Sequence, residues 1–155
     1  MLCSLEKRGK NNLDKVLFSS EKMNWETPQI FFENLNKKFK FDLDACADDK
    51  NHKVDNYFTE KDNSLEQQWN GNVFVNPPYG RSIGQFIKKA YDESLRDENR
   101  FIVLLIPART DTKYWHEFIQ GKATVKFLRG RLKFEFDGVA SDAAPFPSAL
   151  VVYGI

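Results

Sequence analysis

Residues 72–79 read Asn-Val-Phe-Val-Asn-Pro-Pro-Tyr, a short apolar run that stops at two prolines. The run predicts a buried strand over residues 72–76, because proline cannot donate a ladder hydrogen bond and restricts the residue before it. Residues 101–106 read Phe-Ile-Val-Leu-Leu-Ile, and such a continuous apolar run is typical of a central parallel strand. Between them, residues 83–95 are apolar at helical spacing. This strand–helix–strand order predicts a mostly parallel α/β sheet.

The pattern continues on both sides of this core. Thr27 is placed to cap a helix, and Pro28 fits its first position, where no N–H is needed. Apolar residues then recur at helical spacing as far as Phe39. The remaining predicted elements are strands over residues 41–45, 56–59, 123–128, 131–136 and 149–153, a helix over residues 112–120 that ends at Gly121, and a turn at Asp137-Gly138. The sequence therefore predicts an α/β fold whose last strands are antiparallel.

The composition limits the class of protein. A chain of 155 residues with 41% hydrophobic and 29% charged residues is ordinary for one globular domain. No apolar run approaches the roughly 20 residues of a membrane span, and basic residues interrupt the first 15 positions, so neither a span nor a secretory leader is expected. Two cysteines are too few for a disulfide framework or a cysteine-based zinc site. We expect a cytoplasmic protein with a loosely packed arm, residues 1–22, and a single domain, residues 23–155.

Charge is unevenly distributed, although the formal net charge is only +1. Residues 41–69 carry eight acidic and three basic side chains, whereas residues 100–133 carry eight basic and two acidic ones. The acidic segment suits a cationic or hydroxyl-bearing small molecule, and the basic segment suits a polyanion. Charge runs are often simply solvated surfaces, so charge alone leaves both interpretations open.

The tetrapeptide Asn76-Pro77-Pro78-Tyr79 carries the sharpest chemical signal. Two prolines fix the backbone, so the Pro77 carbonyl can be aimed rigidly beside the Asn76 amide oxygen. Two fixed acceptors can hold both hydrogens of a planar –NH2 group, which favours the geometry in which its lone pair leaves the ring plane. Tyr79 offers a flat face on which a base can stack. The alternative is a rigid turn with no chemical role.

The sequence resembles the S-adenosylmethionine-dependent amino-methyltransferases, and more closely the small phage-type DNA adenine-N6 methyltransferases. The tetrapeptide matches their (Asp/Asn/Ser)-Pro-Pro-(Tyr/Phe/Trp) motif. The resemblance implies a minimal Rossmann-like class I methyltransferase sheet, and it runs in order through residues 25–153. Its other matching segments are residues 25–28, 42–47, 57–60 with Asp62, Trp69, 105–112, 127–134 and 144–148.

The resemblance also implies a site for S-adenosylmethionine, which leaves as S-adenosylhomocysteine. A carboxylate at a strand end suits the cationic cofactor, and a later carboxylate can hold its ribose hydroxyls or adenine amine. Many methyltransferases place Asp/Glu-x-Gly-x-Gly at this strand end, whereas residues 44–48 of this chain contain no glycine. The candidate cofactor residues are Trp25, Thr27, Pro28, Asp44, Ala45, Cys46, Asp62 and, as a second choice to Asp62, Glu60.

Three arginines are candidates for DNA phosphate binding. Arg109 follows the long apolar strand, and Arg129 and Arg131 flank Gly130, which permits a close backbone approach. The expected reaction is methyl transfer to N6 of an adenine flipped out of the duplex, with no metal required. Surface ion pairs are the alternative role for Arg129 and Arg131.

Two groups of rival functions remain open at this point. One keeps the fold and changes the substrate to cytosine N4, an RNA base or a protein glutamine. The other is a nucleic-acid-binding relative that has lost catalysis. The chain has few residues to spare for sequence recognition, so we expect relaxed specificity or a homodimer that shares recognition. A monomer or a homodimer in a bacterial host cytoplasm fits this interpretation.

Overall fold

The computed structural model describes residues 25–154, so the predicted N-terminal arm lies outside the described residues. Two α-helices are present among them, α1 (Gln29–Phe39) and α2 (Ile83–Arg96), together with a π-helical turn (Trp115–Ile119) and short 3-10 turns at Glu60–Asp62 and Ser64–Glu66. The strands are β1 (Leu43–Asp44), β2 (Val73–Val75), β3 (Ile102–Pro107), β4 (Thr124–Phe127), β5 (Glu135–Phe136), β6 (Val139–Ala140) and β7 (Ser148–Tyr153).

The main sheet has the strand order β1-β2-β3-β7-β4. Strands β1, β2 and β3 are parallel, and β7 runs antiparallel to both β3 and β4. This arrangement confirms the α/β prediction of a mostly parallel, Rossmann-like sheet with antiparallel pairing at its C-terminal strand. We call the edge where β1–β3 begin the amino edge and the edge where they end the carboxyl edge.

The two helices cover opposite faces of this sheet. On β2, Phe74 meets Phe32 of α1, with ring centroids 5.1 Å apart. The neighbouring Val73 pairs with Ile102 and then Tyr153, whose ring lies 6.0 Å from that of Tyr91 in α2. Because consecutive strand residues point to opposite faces, α1 and α2 must lie on opposite sides. Strand β3 is buried along its whole length, as its apolar run predicted.

A second, two-stranded sheet is formed by the β5–β6 hairpin. Asp137 and Gly138 both have positive φ, 52° and 78°, which is the backbone of a two-residue type I′ turn. The Asp137-Gly138 turn prediction is therefore confirmed. The hairpin also pairs with residues before α1 through an antiparallel bridge between Glu26 and Glu135.

Several predicted elements differ from the structure. Pro28, not Thr27, is the N-cap of α1, and no side chain caps that helix. Residues 56–59 form a single bridge, Tyr57 to Asp44, rather than a strand. Only Glu135–Phe136 of the predicted strand 131–136 pairs with a partner. The helix over residues 112–120 is mainly a π-turn, in which the N–H of Gln120 donates to the carbonyl of Trp115 at 2.8 Å.

Polar groups are densely paired at the amino edge. Arg100, only 5% exposed, donates to the carboxylate of Glu93 at 3.1 Å and to the backbone carbonyls of Trp69 and Gly71. Arg100 was counted in the basic segment, residues 100–133, which was interpreted as solvated or as suited to a polyanion. For Arg100 that interpretation is wrong, because its side chain is buried and paired within the protein. Hydrogen bonds from Lys89 and Arg96 outweigh burial, so the pKa of Glu93 is lowered and the carboxylate stays charged.

Among residues 25–154, no helix has the length and apolar character needed to cross a membrane.

Candidate active site

The strand ends that the sequence singled out meet at the carboxyl edge. Asp44 ends β1, Asn76 directly follows β2, and Arg109 lies two residues beyond β3. Since these three strands are parallel neighbours, their following residues share one edge of the sheet. This is the position where open α/β sheets bind ligands.

The Asn76 amide has a fixed orientation. Its Nδ2 donates to the backbone carbonyl of Trp25 and to Oγ1 of Thr27, the latter at 3.0 Å. A backbone carbonyl can only accept, so the nitrogen end of the amide must face it. The other end, Oδ1, is buried and has no hydrogen-bond partner among the described residues. A buried acceptor without a partner is uncommon, and a bound ligand is one way to satisfy it.

Tyr79, three residues after Asn76, belongs to an aromatic cluster. Its hydroxyl donates to the Leu105 carbonyl at 3.1 Å, and its ring is only 7% exposed. Edge contacts with Phe134 and Phe146 place the ring centroids 6.1 and 5.5 Å away. Burial raises the pKa of the Tyr79 hydroxyl well above its usual range, so it stays protonated. Base stacking by Tyr79 remains a prediction, and it requires the ring to be uncovered.

Trp25 belongs to the same aromatic cluster. Its ring lies 5.5 Å from Phe134, 5.5 Å from Phe136 and 5.2 Å from Phe146. The role of Trp25 as a cofactor residue stays a prediction, and the three phenylalanines around it were not among the residues predicted for the site. The signal was present, because Phe134 and Phe146 lie inside segments that matched the methyltransferase resemblance.

Asp44 closes the loop that follows β1. Its Oδ1 accepts from the N–H of Cys46 at 3.3 Å, and its Oδ2 accepts from the N–H of Lys53 at 3.0 Å. The side chain is 3% exposed, and burial raises the pKa of Asp44 to about 6. The structure thus shows the loop-closing role of Asp44. Each oxygen retains acceptor capacity, so binding of a cation at this position stays a prediction.

The two residues after Asp44 extend the sheet edge. The N–H of Ala45 donates to the Phe74 carbonyl at 3.0 Å, so the backbone stays paired with β2 beyond the end of β1. Burial of the sulfur, together with the nearby Asp44 charge, raises the pKa of the Cys46 thiol. A raised thiol pKa argues against a nucleophilic role for Cys46.

Glu60 and Asp62 reach the same edge by a different route. The bridge from Tyr57 to Asp44 is parallel, so the residues after Tyr57 run toward the carboxyl edge. Asp62 Oδ2 accepts from both the N–H and the hydroxyl of Thr59, at 2.8 and 3.0 Å. The exposed Glu60 side chain makes no hydrogen bond to any other described residue. Asp62 Oδ2 therefore has a local structural role, whereas Asp62 Oδ1 and both Glu60 carboxylate oxygens make no hydrogen bond within the described part of the chain.

An open cleft of about 810 Å³ adjoins this region. It is lined by residues of the loop after Asp44, the start of α1 and the β5–β6 hairpin, and acidic side chains outnumber lysines among them. None of the residues predicted for the site lines it. The lining residues are Glu26, Gln29, Asp48, Asp49, Lys50, Asn51, Lys53, Glu135, Asp137 and Gly138.

The three candidate DNA-binding arginines are all exposed. Arg129 and Arg131 follow β4, which runs in the same direction as β3, so they emerge near the carboxyl edge. Between them, Gly130 has φ +75° with open space where a side chain would be. Arg131 Nη1 donates to the Ala144 carbonyl at 3.3 Å, which does not use its remaining donors. Their contact with phosphate remains a prediction.

Comparison with known proteins gives a consistent result. The family model described as "DNA N-6-adenine-methyltransferase (Dam)" matches residues 15–152. A "DNA N-6-adenine-methyltransferase" of Haemophilus phage HP1 is 31% identical over 140 residues, which cover 86% of this chain and 80% of the relative. A protein of the same description from Escherichia phage T1 is 32% identical over 117 residues, or 74% of this chain.

The matched regions differ in how much of each relative they cover. The chain spans 48% of the length of the phage T1 protein, about half. A "Putative methyltransferase YfdM" of Escherichia coli K12 is 38% identical over 63 residues, which cover 36% of this chain and 69% of that protein.

Proposed function

The chain belongs to the DNA N-6-adenine-methyltransferase (Dam) family, and we propose that it transfers a methyl group from S-adenosylmethionine to N6 of adenine in DNA. Family membership supports adenine methylation in DNA. It does not favour cytosine N4, an RNA base, a protein glutamine or a non-catalytic relative. The observation that carries the proposal is the buried Oδ1 of Asn76, which has no hydrogen-bond partner among residues 25–154 and is held in place by the bonds that its amide nitrogen makes.

The catalytic contribution of the chain is the positioning of the amine. Asn76 Oδ1 accepts one N6 hydrogen, and the Pro77 carbonyl, fixed by Pro77-Pro78, accepts the other. With both hydrogens held, the nitrogen lone pair is turned out of the purine plane toward the methyl donor. Such positioning and electrostatic orientation contribute without a strong base, because the product nitrogen can lose its proton late. Tyr79 stacks on the target base once its ring is uncovered.

The residues at the carboxyl edge fit S-adenosylmethionine, which supplies an electrophilic methyl group when bound. A buried carboxylate at a strand end, Asp44, suits the positively charged amino-acid part of this cofactor. Asp62, whose Oδ1 is not used by Thr59, is the first candidate for the ribose hydroxyls, and the exposed Glu60 is the second. The remaining proposed cofactor residues are Trp25, Thr27, Pro28, Ala45 and Cys46.

DNA is the proposed macromolecular partner. Arg109, Arg129 and Arg131 are exposed and bind backbone phosphates, while the target adenine is flipped toward Asn76. Phosphate contacts of this kind fix the orientation of the protein without reading sequence. We place the protein in the cytoplasm of a bacterial host, as a monomer or a homodimer.

The test is methyl transfer from radiolabelled S-adenosylmethionine to unmethylated duplex DNA, with nucleoside analysis of the product. We expect label in N6-methyladenine. Asn76→Ala should lower kcat by about 100- to 1000-fold, the usual effect of removing one oriented polar group, while DNA affinity changes little. Asn99→Ala, an exposed asparagine on a loop, is the matched control.

The possible failures have different meanings. An unchanged rate in Asn76→Ala refutes the catalytic role of Asn76. Cofactor binding without label in DNA refutes the DNA substrate and directs attention to RNA or a protein amide. If the wild-type protein binds no cofactor, the methyltransferase reaction itself is refuted.

A further inference from the structure

The orientation of Asn76 depends on a neighbouring segment of the chain. An amide nitrogen carries two hydrogens, and the two acceptors that contact it are the Trp25 carbonyl and the Thr27 hydroxyl. Turning the amide by 180° would bring Oδ1 against the Trp25 carbonyl, so two acceptors would face each other. Residues 25–27 therefore determine which end of the amide points to the substrate.

Thr27 is committed to this contact. The residue is 1% exposed, and its hydroxyl does not cap α1, whose N-cap is Pro28. A hydroxyl oxygen can accept from Asn76 while its own hydrogen remains free to donate elsewhere. A valine at this position would have nearly the same shape but would leave one amide hydrogen without its acceptor.

The segment that carries Thr27 is itself tied to the β5–β6 hairpin. Glu26 and Glu135 exchange two backbone hydrogen bonds, of 3.2 and 2.9 Å. The Glu26 carboxylate also accepts from the N–H groups of Asp137 and Gly138, at 3.2 and 3.3 Å. In return, Glu135 Oε1 accepts from the N–H of Gln29 at the start of α1, at 3.3 Å. The hairpin turn and the residues that hold Asn76 thus form one hydrogen-bonded unit.

We propose that Thr27 is a positioning residue for Asn76, and that Glu26 keeps Thr27 and the Trp25 carbonyl in place by fastening them to the hairpin turn. This inference rests on the proposed catalytic role of Asn76. It assigns Thr27 a function through the amide rather than only through the cofactor. It also makes the β5–β6 hairpin part of the apparatus that orients the target amine.

The test is a double-mutant cycle between positions 27 and 76. Thr27→Val should lower single-turnover methyl transfer at saturating S-adenosylmethionine about five- to tenfold, a condition under which any cofactor contact that Thr27 also makes does not change the rate. Thr27→Ser, which restores the acceptor, should recover most of the rate. In the Asn76→Ala background, Thr27→Val should change the residual rate less than twofold, because the group through which it acts is absent.

Glu26→Ala provides a second route that leaves Thr27 intact. It should lower the rate two- to fivefold in the wild-type background and have little effect in Asn76→Ala. Glu98→Ala, an exposed glutamate distant in sequence, is the matched control and should leave the rate unchanged. If Thr27→Val does not fold, as judged by its thermal transition, the Glu26 pair alone decides the question.

Two outcomes would overturn the proposal. One is an equal loss of rate from Thr27→Val in the wild-type and Asn76→Ala backgrounds. The other is a raised Kd for S-adenosylmethionine at an unchanged rate, which would make Thr27 a cofactor contact alone. Both differ from a failure of the proposed function, which would appear as an inactive wild-type protein or an Asn76→Ala variant with full activity.

Discussion

The two edges of the sheet treat buried polar groups differently. At the amino edge, Arg100 and Glu93 are almost fully buried, yet they bond to each other and to surrounding carbonyls. At the carboxyl edge lie two buried side-chain atoms that have no hydrogen-bond partner within residues 25–154, Asn76 Oδ1 and Ser148 Oγ. Unpaired buried polar atoms cost stability, so the two edges differ in how completely their buried polar groups are satisfied.

The same contrast separates stability from activity. Substitutions at the amino edge should lower the free energy of unfolding and leave the rate per folded molecule intact. Substitutions at the carboxyl edge should change the rate per folded molecule and leave the free energy of unfolding unchanged or raise it. The following four predictions test this division, with the effects on stability given from the largest to the smallest.

Glu93→Ala should give the largest loss of stability. It leaves Arg100 buried without its carboxylate, and breaking a buried ion pair in this way costs about 3–5 kcal/mol. Urea denaturation measures the loss, and methyl transfer per folded molecule should stay at the wild-type level. Asp92→Ala, which removes an exposed pair with Lys88, should cost less than about 1 kcal/mol. A loss below 1 kcal/mol in Glu93→Ala would show that the amino edge is not the stabilising one.

Asp44 should make the stability of the fold depend on pH. Burial raises its pKa from an ordinary 3.8 to about 6, so the folded state holds its proton more tightly than the unfolded state. Its contribution to stability is therefore fully present below about pH 3.8 and is lost as the pH rises through 6, amounting to about 3 kcal/mol at most. Urea denaturation of the wild type and Asp44→Asn between pH 4 and 7 measures this contribution as the difference between their free energies of unfolding. The exposed Asp55→Asn is the control.

Cofactor affinity is an independent test of whether the Asp44 carboxylate binds S-adenosylmethionine. If its ionised form holds the cofactor, affinity for S-adenosylmethionine should fall as the pH drops below about 6. Equilibrium dialysis across this range measures it. A pH-independent affinity would remove Asp44 from the proposed site while leaving its loop-closing hydrogen bonds as its role.

Ser148→Ala should give the smallest effect. Ser148 is 1% exposed, and its hydroxyl has no partner in the described part of the chain, so its removal should raise the free energy of unfolding by about 1 kcal/mol or leave it unchanged. Urea denaturation of the variant provides the check. A loss of more than 2 kcal/mol would show that the Ser148 hydroxyl is paired in solution and would contradict the difference between the two edges.

Regular, continuous patterns were readable from the sequence. The apolar run in β3 and the helical spacing in α2 gave those elements to within one residue, because their burial is determined by local periodicity. The Asp137-Gly138 turn was equally readable, since few residue pairs adopt two positive φ angles. Asn76 lies at the carboxyl edge because it ends the strand predicted over residues 72–76, and that strand pairs in parallel with both neighbours.

Features that depend on distant partners were not readable. Residues 56–59 and 131–136 have strand-like composition, but pairing requires a neighbouring strand, and most of these residues lack one. Thr27 has a good capping side chain, yet its hydroxyl instead accepts a hydrogen bond from the amide of Asn76, 49 positions away. Arg100 was counted in a basic segment because nothing local indicates its partner Glu93. The sequence predicted which residues form the candidate site. The orientation of the Asn76 amide is visible only in the three-dimensional structure.

The placement of β7 between β3 and β4 has a consequence for the assembly of the protein. The strand that joins these two is synthesised after both, so β4 has no partner in the main sheet until β7 arrives. Closing such non-local pairs slows folding, and the unpaired edges of β3 and β4 stay exposed in the meantime. The Arg129–Arg131 region after β4 therefore reaches its place near the carboxyl edge only when β7 pairs with β4. A nascent or truncated chain without β7 would hold the chemical groups of the site without their arrangement.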